Sequence, residues 1–307
     1  MRNAAGIAAL GVALLPTAWA APLDFYEWLA IAPVVVTAEN LSTYGKYTEF
    51  RVEAVHRGDV LLGSLIRVNV RRANRDRNRQ IDREALRFEE GTDYLLLLER
   101  VAEARADLPA TFEFLRGVRG AREVPAEGRT ALLQAVERFV QIQERNDDSF
   151  TWREFSTMIE ETNPVALDTA LDQFLKFRRG EAELLGALRP LLLHPAPLTR
   201  ERVARLIGQI LERSGADLHP DAAGLGEDLA ARAQRDEVAG VRVAAAEALG
   251  RLSGPRIEPI LATIARTDPE QEVRYAAERL LLERERKRGA GGGRAGPPTI
   301  RDGRGPD

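Results

Sequence analysis

One short motif is written twice near the C-terminus of this 307-residue chain, and it constrains the fold more than any other feature. The copies are Val241–Ala245 and Val273–Ala277, so position 273 repeats position 241 after 32 residues. An aspartate stands at the same place before each copy, at Asp236 and Asp268. Each copy opens an apolar stripe at helical spacing. A unit of two amphipathic helices repeated at this period is typical of an α-solenoid.

The first copy continues as an amphipathic helix whose apolar residues follow the spacing i, i+3, i+4, i+7, i+8 and i+11. These residues are Val241, Ala244, Ala245, Ala248, Leu249 and Leu252. A second stripe follows Ser253–Pro255, and Thr199–Gly208 aligns with Val241–Gly250. The pattern resembles the HEAT-like repeats in their short form, which implies about four helix pairs with the first two degenerate. We interpret Asp236, Asp268, Arg242 and Arg274 as cap and ladder residues of the repeat, without a functional role.

Residues 1–20 have the composition of a secretory signal. Arg2 gives a positive start, Ala4–Leu15 is apolar and uncharged, and Ala18–Ala20 has the small-x-small pattern of a cleavage site. We therefore expect export and cleavage after Ala20. No later run is long and apolar enough for a membrane span, so no integral membrane segment is expected. The absence of cysteine excludes a lipoprotein anchor and favours a bacterial periplasmic or extracellular location.

Five segments after the signal have the β-branched content or the period-two alternation of strands. They are Pro33–Glu39, Tyr47–Val55, Leu65–Val70, Tyr94–Leu98 and Thr111–Leu115. Tyr44–Lys46 and Arg57–Asp59 are predicted as turns between the first three. Five short strands with one long connection predict a small antiparallel β-barrel of OB type over residues 21–125.

The barrel segments Glu53–Val70, Phe88–Glu99 and Phe112–Val124 are similar to bacterial exported domains of the netrin and tissue-inhibitor-of-metalloproteinase type. The resemblance covers about Ala21 to Val124 and depends on strand spacing and on three glycines. It implies the barrel fold. The animal inhibitors present an N-terminal cysteine to the zinc of a protease, and this chain has no cysteine. The inhibitory chemistry therefore does not transfer.

The long connection in the predicted barrel, Arg71–Glu84, is rich in arginine. Its polar residues from Asn74 to Asp82 follow calcium-loop spacing, but Arg79 stands where glycine is needed and Ala85 where a bidentate glutamate is needed. No metal site is expected there. Five arginines of the loop are candidate partner-binding residues for an acidic group or phosphate: Arg71, Arg72, Arg75, Arg77 and Arg79. The alternative is a solvated insertion between two strands.

Helices follow a Pro/Gly-containing link. Residues 126–148 are predicted to hold a linking helix, with its stripe in Thr130–Arg145, and residues 149–288 a HEAT-like repeat domain. Four aromatic residues at helical spacing are predicted as core: Trp152, Phe155, Phe174 and Phe177. Gly289–Asp307 is rich in Gly, Pro and Arg and is predicted as a disordered tail. The expected fold class is a multidomain α+β chain, a barrel followed by an α-solenoid.

The sequence contains none of the familiar catalytic or cofactor-binding motifs. His56, His194 and His219 lie far apart without metal-ligand spacing. The nucleophile elbow, the Walker loop and the dinucleotide fingerprint do not occur. We therefore expect no catalytic residue, no cofactor and no metal. A net charge of −3 gives no field that would steer the chain onto nucleic acid, so none is expected as a partner.

Three hypotheses about function differ in class. The first is an exported, non-catalytic scaffold that binds a protein partner through its helical-repeat surface. In the second, the β-barrel is the working module, inhibitor-like or ligand-binding, and the repeats are its platform. The third is an enzyme without recognisable motifs. The sequence defines neither the partner nor the oligomeric state.

Overall fold

A computed structural model describes residues 23–70, 88–104, 108–115, 120–214 and 224–291. The chain is mixed α/β and divides into two compact units. The first consists mainly of residues up to Glu154, together with Thr162–Thr169. The second consists of Phe155–Glu161 and the chain from Ala170 onward. The predicted signal at residues 1–20 lies outside the described residues.

The first unit contains a helix and six strands in its N-terminal part. In chain order they are α1 (Leu23–Ile31), β1 (Val34–Tyr44), β2 (Tyr47–Arg57), β3 (Leu65–Asn69), β4 (Asp93–Ala102), β5 (Ala110–Phe114) and β6 (Ala121–Glu123). The five predicted strands are all present, and β1 and β4 are longer than predicted. β6 and α1 were not predicted.

Five of the strands close into a barrel. Their order is β1-β2-β3-β5-β4, and β4 pairs back onto β1 with Val34 opposite Leu98. Four of the five pairings are antiparallel, but β3 and β5 are parallel, with Ile66 opposite Ala110. The predicted five-stranded barrel is confirmed, but the prediction that it is antiparallel was wrong for the pairing of β3 with β5. The long connection between β3 and β4 lets β5 run beside β3 in the same direction, and short turns cannot make that pairing.

Alternation along the strands fills the barrel interior. Inward residues such as Phe50, Val52 and Phe112 are buried, while their sequence neighbours are partly or fully exposed. Phe88 packs edge-to-face on Phe50 and Tyr94 with ring centroids 5.3 and 5.0 Å apart. This aromatic cluster supplies large apolar volume to a small core.

Helix α1 packs on α2, which spans Arg129–Arg145. Tyr26 meets Phe139 edge-to-face at 5.6 Å between ring centroids. Arg57, at the end of β2, donates to the Leu29 and Ala32 carbonyls and to the Gln143 side chain. Gln143 in turn donates to the Tyr26 carbonyl. Helix α2 confirms the predicted helix over Thr130–Arg145.

Within the described residues, eight further helices follow α2. They are α3 (Asp148–Glu160), α4 (Pro164–Phe177), α5 (Leu184–Leu191), α6 (Pro197–Ser214), α7 (Leu225–Arg235), α8 (Ala239–Arg251), α9 (Ile257–Thr267) and α10 (Gln271–Gly291). Phe155 and Phe174 are buried as predicted, whereas Phe177 is 53% exposed, so its assignment to the core was wrong. Helix α10 runs three residues into the predicted tail, and residues 292–307 lie outside the description.

The last five helices form two layers. α6, α8 and α10 pack side by side, while α7 packs on α8 and α9 packs on α10. Two glycines at equivalent positions permit this close packing. A Cβ atom at Gly208 would lie 3.3 Å from the Ala248 Cα atom, and one at Gly250 would lie 2.8 Å from the Leu280 side chain. These glycines, together with Ala248 of the predicted stripe, thus set the separation between helices.

Candidate functional site

The predicted partner-binding loop falls in a gap of the description. Arg71, Arg72, Arg75, Arg77 and Arg79 lie outside the described residues, as do the positions of the rejected calcium loop. The chain approaches this loop at Val70, whose N–H donates to the Lys46 carbonyl at 2.9 Å. It returns at Phe88, in the aromatic cluster of the barrel. The structure therefore fixes where the loop is attached to the barrel.

A cluster of aromatic and charged side chains lies beside that attachment. The Arg67 guanidinium lies over the rings of Tyr44 and Tyr47, 5.6 and 5.2 Å from their centroids, and pairs with Glu49 at 3.0 Å. The Tyr44 hydroxyl also donates to Glu49. Hydrogen bonds from Tyr44 and then Arg67 lower the pKa of Glu49, although burial opposes them. These side chains pair and hydrogen-bond with one another, so we interpret the cluster as stabilising the pairing of neighbouring strands.

The loop between β2 and β3 presents two consecutive leucines to solvent. Leu61 and Leu62 are 75% and 71% exposed. The loop is nevertheless well held, because the Gly63 N–H donates to the Val52 carbonyl and the Ser64 hydroxyl donates to the Leu61 carbonyl. A hydrogen-bonded loop that exposes adjacent large apolar side chains is a candidate contact surface.

The helical unit is organised by two buried ion pairs of identical geometry. Arg200 on α6 donates from Nε and Nη2 to both carboxylate oxygens of Asp236, each at 2.9 Å. Arg242 on α8 does the same to Asp268, at 2.8 and 3.0 Å. All four side chains are less than a tenth exposed. We call each of these bidentate pairs a rung.

Each rung is completed by backbone hydrogen bonds that repeat in the same register. Nη1 of Arg242 donates to the Asp236 carbonyl, six residues earlier, as Nη1 of Arg200 does to the His194 carbonyl. The carboxylates also cap the following turns: Asp236 accepts from the Val238 N–H and Asp268 accepts from the Glu270 N–H. The predicted cap roles of Asp236 and Asp268 and the predicted ladder role of Arg242 are thus observed in the geometry. Such satisfied bidentate pairs are the strongest type of ionic hydrogen bond.

The electrostatics of the first rung follow from this arrangement. Burial alone would raise the pKa of Asp236, but hydrogen bonds from Arg200 and the Val238 N–H, with the charges of Arg200 and Arg232, lower it overall. Hydrogen bonding to Asp236 raises the pKa of Arg200. Both groups therefore remain charged at neutral pH. Sequence analysis did not single out Arg200, although the alignment of Thr199 with Val241 places it opposite Arg242.

The positions at the two ends of the series of rungs hold different residues or contacts from those of the two closed rungs. His194 stands where Asp236 stands in the next repeat, and its Nδ1 accepts from the Ala196 N–H at 3.2 Å. Arg274 stands where Arg242 stands, and its Nη1 donates to the Asp268 and Pro269 carbonyls at 2.7 and 2.9 Å. Within the described residues, no carboxylate accepts hydrogen bonds from the Nε and Nη2 atoms of Arg274.

A groove of about 390 Å³ lies where α6, α8 and α10 end. Four cationic and two acidic side chains line it: Arg251, Arg284, Lys287, Arg288, Glu212 and Glu258. Arg284 donates to the Gly250 and Leu252 carbonyls at the end of α8 and is thereby fixed. Arg288 pairs with Glu258 at 2.6 Å, and Lys287 is exposed. The lining therefore has an excess of two positive charges, and sequence analysis did not identify it.

The two histidines in the described residues, His56 and His194, form hydrogen bonds within the fold. His56 Nε2 lies 2.9 Å from the Thr37 hydroxyl, and burial lowers the pKa of His56, with Glu137 opposing it. His194 caps a turn, and His219 lies outside the description. Within the described ranges, no group of three or more His, Asp or Glu side chains is placed to hold a metal ion.

No known protein family, curated protein or solved structure matches the chain. Across the part of the chain that the structure describes, no helix combines the length and apolarity that a membrane crossing requires.

Proposed function

We propose that this chain is an exported, non-catalytic interaction protein whose helical unit binds a protein partner. The observation that carries the proposal is the repeated rung, which aligns α6, α8 and α10 in one register. We infer that these helix pairs are HEAT-like repeats and that the barrel is of OB type. Stacked helix pairs present an extended surface, and binding a protein partner is the use that such surfaces commonly have.

The groove gives this surface a chemical preference. Four cations against two carboxylates favour a partner segment with acidic side chains. Lys287 is exposed at its rim, and Arg288 is exposed there although it pairs with Glu258, so a partner can reach both without disturbing the packing of α10. Charges at such a rim mainly change association rate and selectivity.

Parallel affinity capture from periplasmic extract tests the proposal. The full chain, the variant Lys287→Glu/Arg288→Glu and the matched control Arg235→Glu would serve as baits, since Arg235 is exposed on α7 and does not line the groove. We expect one protein to be retained by the wild type and the control and lost on the groove variant. Equal retention by all three baits would contradict a binding role for the groove.

The exposed leucines favour a second candidate, in which the barrel is the working module. A rigid loop that presents Leu61 and Leu62 suits insertion into an apolar pocket of a target protein. The variant Leu61→Ser/Leu62→Ser belongs in the same capture experiment. If it loses the retained protein while the groove variant keeps it, the barrel carries the binding.

Export is part of the proposal and has its own test. The supporting observation is the charge-free apolar run before Ala18–Ala20. Mass spectrometry of the expressed protein from the periplasm should give Ala21 as the N-terminus. Intact Met1 on protein that stays in the cytoplasm would contradict export.

A further inference from the structure

One arginine of the groove holds a hydrogen-bond donor that no acceptor of the described residues uses. The Nη1 atom of Arg284 donates to the Gly250 and Leu252 carbonyls at 2.9 and 3.0 Å, which fixes the side chain against the end of α8. Its Nε atom is shielded from solvent and has no hydrogen-bond partner in the described part of the chain. A buried N–H of a cation is costly without an acceptor, so an oxyanion would be stabilised at this atom.

A carboxylate of the groove itself lies close to this donor. Oε1 of Glu258, in the first turn of α9, lies 3.5 Å from Nε of Arg284, where the two atoms form an ion pair without a hydrogen bond. The same oxygen is 2.6 Å from Nη2 of Arg288. One carboxylate oxygen thus faces two guanidinium groups, and it leaves the Nε donor of Arg284 without an acceptor.

The second carboxylate of the groove is held differently. Oε1 of Glu212 lies 3.7 Å from Nη2 of Arg251, while its Oε2 lies 3.3 Å from Nη2 of Arg178, which does not line the groove. Glu212 is therefore anchored partly from outside. Within the described residues, both ion pairs of Glu258 are with cations that line the groove.

These contacts give Glu258 the position that the carboxylate of an acidic partner would need. Carboxylates bind guanidinium groups most strongly when both oxygens receive N–H donors. An incoming carboxylate can offer one oxygen to Nε of Arg284 and the other to Arg288 once Glu258 has turned away. The Glu258 side chain is 28% exposed, so it can turn toward solvent without opening the core.

We propose that Glu258 is a built-in competitor of the groove, and that an acidic partner binds by exchanging its own carboxylate for that of Glu258. The inference rests on the proposed function of the groove and adds the position at which the partner is anchored, on Arg284 and Arg288. It also makes the groove selective. A segment with several carboxylates displaces Glu258 more readily than one with a single carboxylate, because its further charges bind to Lys287 and Arg251.

Binding of a hexaglutamate peptide to the full chain tests the proposal, with dissociation constants measured by calorimetry at about 0.1 M salt. Glu258→Gln should bind the peptide about fivefold more tightly than the wild type, which is the effect of removing one like charge at about 4 Å in water. Glu258→Asp keeps the charge but shortens the side chain by one methylene and draws the carboxylate away from Arg288, so it should also bind more tightly. In an Arg288→Gln background, the gain from Glu258→Gln should be smaller.

Glu272→Gln is the matched control, because it makes the same change of net charge at a site remote from the groove. Glu272 is exposed in the first turn of α10, 284 − 272 = 12 residues before Arg284, and so lies about 18 Å away along the helix. That distance exceeds the Debye length of ~10 Å at this salt concentration, so the affinity should stay at the wild-type value. Urea midpoints measured in parallel should differ little among the variants, which separates competition for the groove from a role of Glu258 in stabilising α9.

Three results would overturn the proposal. The first is no gain in Glu258→Gln or in Glu258→Asp while the wild type binds the peptide and Lys287→Glu/Arg288→Glu does not, in which case the groove binds but Glu258 does not compete. The second is an equal gain in Glu272→Gln, which would attribute the effect to net charge. The third is an undiminished gain in the Arg288→Gln background. If no variant binds the peptide, the charge preference of the groove and this inference are both wrong.

Discussion

The barrel and the helical unit each contain a prominent buried polar group, and the two groups differ in how their hydrogen bonds are satisfied. In the barrel, Asn40 is completely buried and neither atom of its amide has a hydrogen-bond partner. In the helical unit, the buried charges of Arg200 and Asp236 are each bonded to one another and to the backbone. The barrel is thus specified by strand pairing around an apolar core. The helices are specified by a polar contact that recurs with the repeat.

This difference predicts where each region is sensitive to substitution. A change in the repeated contact should loosen neighbouring helices together, because α8 packs directly on α6 and on α10. A change in one barrel strand should affect closure of the whole barrel, because β1 and β4 meet across a long stretch of chain.

The largest effect is expected from Ala245→Glu on α8. Ala245 is fully buried, so the new carboxylate would lie unpaired in a site that is sized for a methyl group. The cost is several kcal/mol, on the order of a domain's whole stability. Circular dichroism and limited proteolysis should show loss of helix from about Thr199 onward, while strands β1 to β5 stay resistant.

Val243→Glu is the matched control, because Val243 is half-exposed on the same helix. It should leave the helical signal nearly unchanged. The mirror variant Val36→Glu should remove the strands and spare the helices. If Ala245→Glu unfolds both regions together, or neither, the separation of the two units is wrong.

A large but smaller effect is expected at the second rung. Asp268→Ala leaves the Arg242 guanidinium buried without its carboxylate, which costs about 3–5 kcal/mol. Arg242→Met combined with Asp268→Ala removes both charges and should recover much of that loss. Urea unfolding followed by helical circular dichroism measures both.

The pair between Glu247 and Arg279 provides the control for the rung. It also joins α8 to α10 but is largely exposed, so Glu247→Ala should cost no more than about 1 kcal/mol. Equal losses for Asp268→Ala and Glu247→Ala would mean that burial of the rung does not matter.

The smallest effect is the response to acid. The pKa of Asp236 is lower in the folded chain than in the unfolded chain, where it is about 3.9. The ionised carboxylate therefore stabilises the fold at pH values above the unfolded pKa. This stabilisation is lost as the pH falls through the folded pKa. The urea concentration at the unfolding midpoint of the helical unit should therefore decrease when the pH is lowered below about 4. In Asp236→Asn this decrease should be smaller.

Glu49 of the barrel allows the acid response of the barrel to be compared with that of the helical unit. Its pKa is also lowered, but it pairs with Arg67 near the surface, where solvent screens the interaction. Glu49→Gln should therefore alter the acid response of the barrel much less than Asp236→Asn alters that of the helices. A larger effect at Glu49 would contradict this assignment.

The sequence predicted most of what is local or periodic. The five strands followed from period-two alternation and β-branched content, and the cap and ladder interpretation of Asp236, Asp268 and Arg242 followed from their repeated spacing. The pairing of Arg200 with Asp236 was not predicted. It did not predict the parallel pairing of β3 with β5, which depends on residues distant in the chain. Helix α1 was missed because nine residues carry too little periodic signal.

The candidate sites were harder to predict for a related reason. The groove gathers Glu212, Arg251 and Lys287 from three helices, and their sequence spacing gives no pattern. Arg274 was recognised as part of the ladder, but its open edge is visible only when the two closed rungs are compared with it. Folded geometry, and not composition, identifies both features.

Our main conclusion is that the buried rungs hold neighbouring helix pairs together while the barrel is stabilised by its own core. Hydrogen exchange of the wild type and of Asp268→Ala tests this conclusion. We expect amides throughout α6 to α10 to exchange faster together in Asp268→Ala, and amides in β1 to β5 to keep their wild-type rates. Equal acceleration in strands and helices, or acceleration confined to the few residues around Asp268, would contradict it.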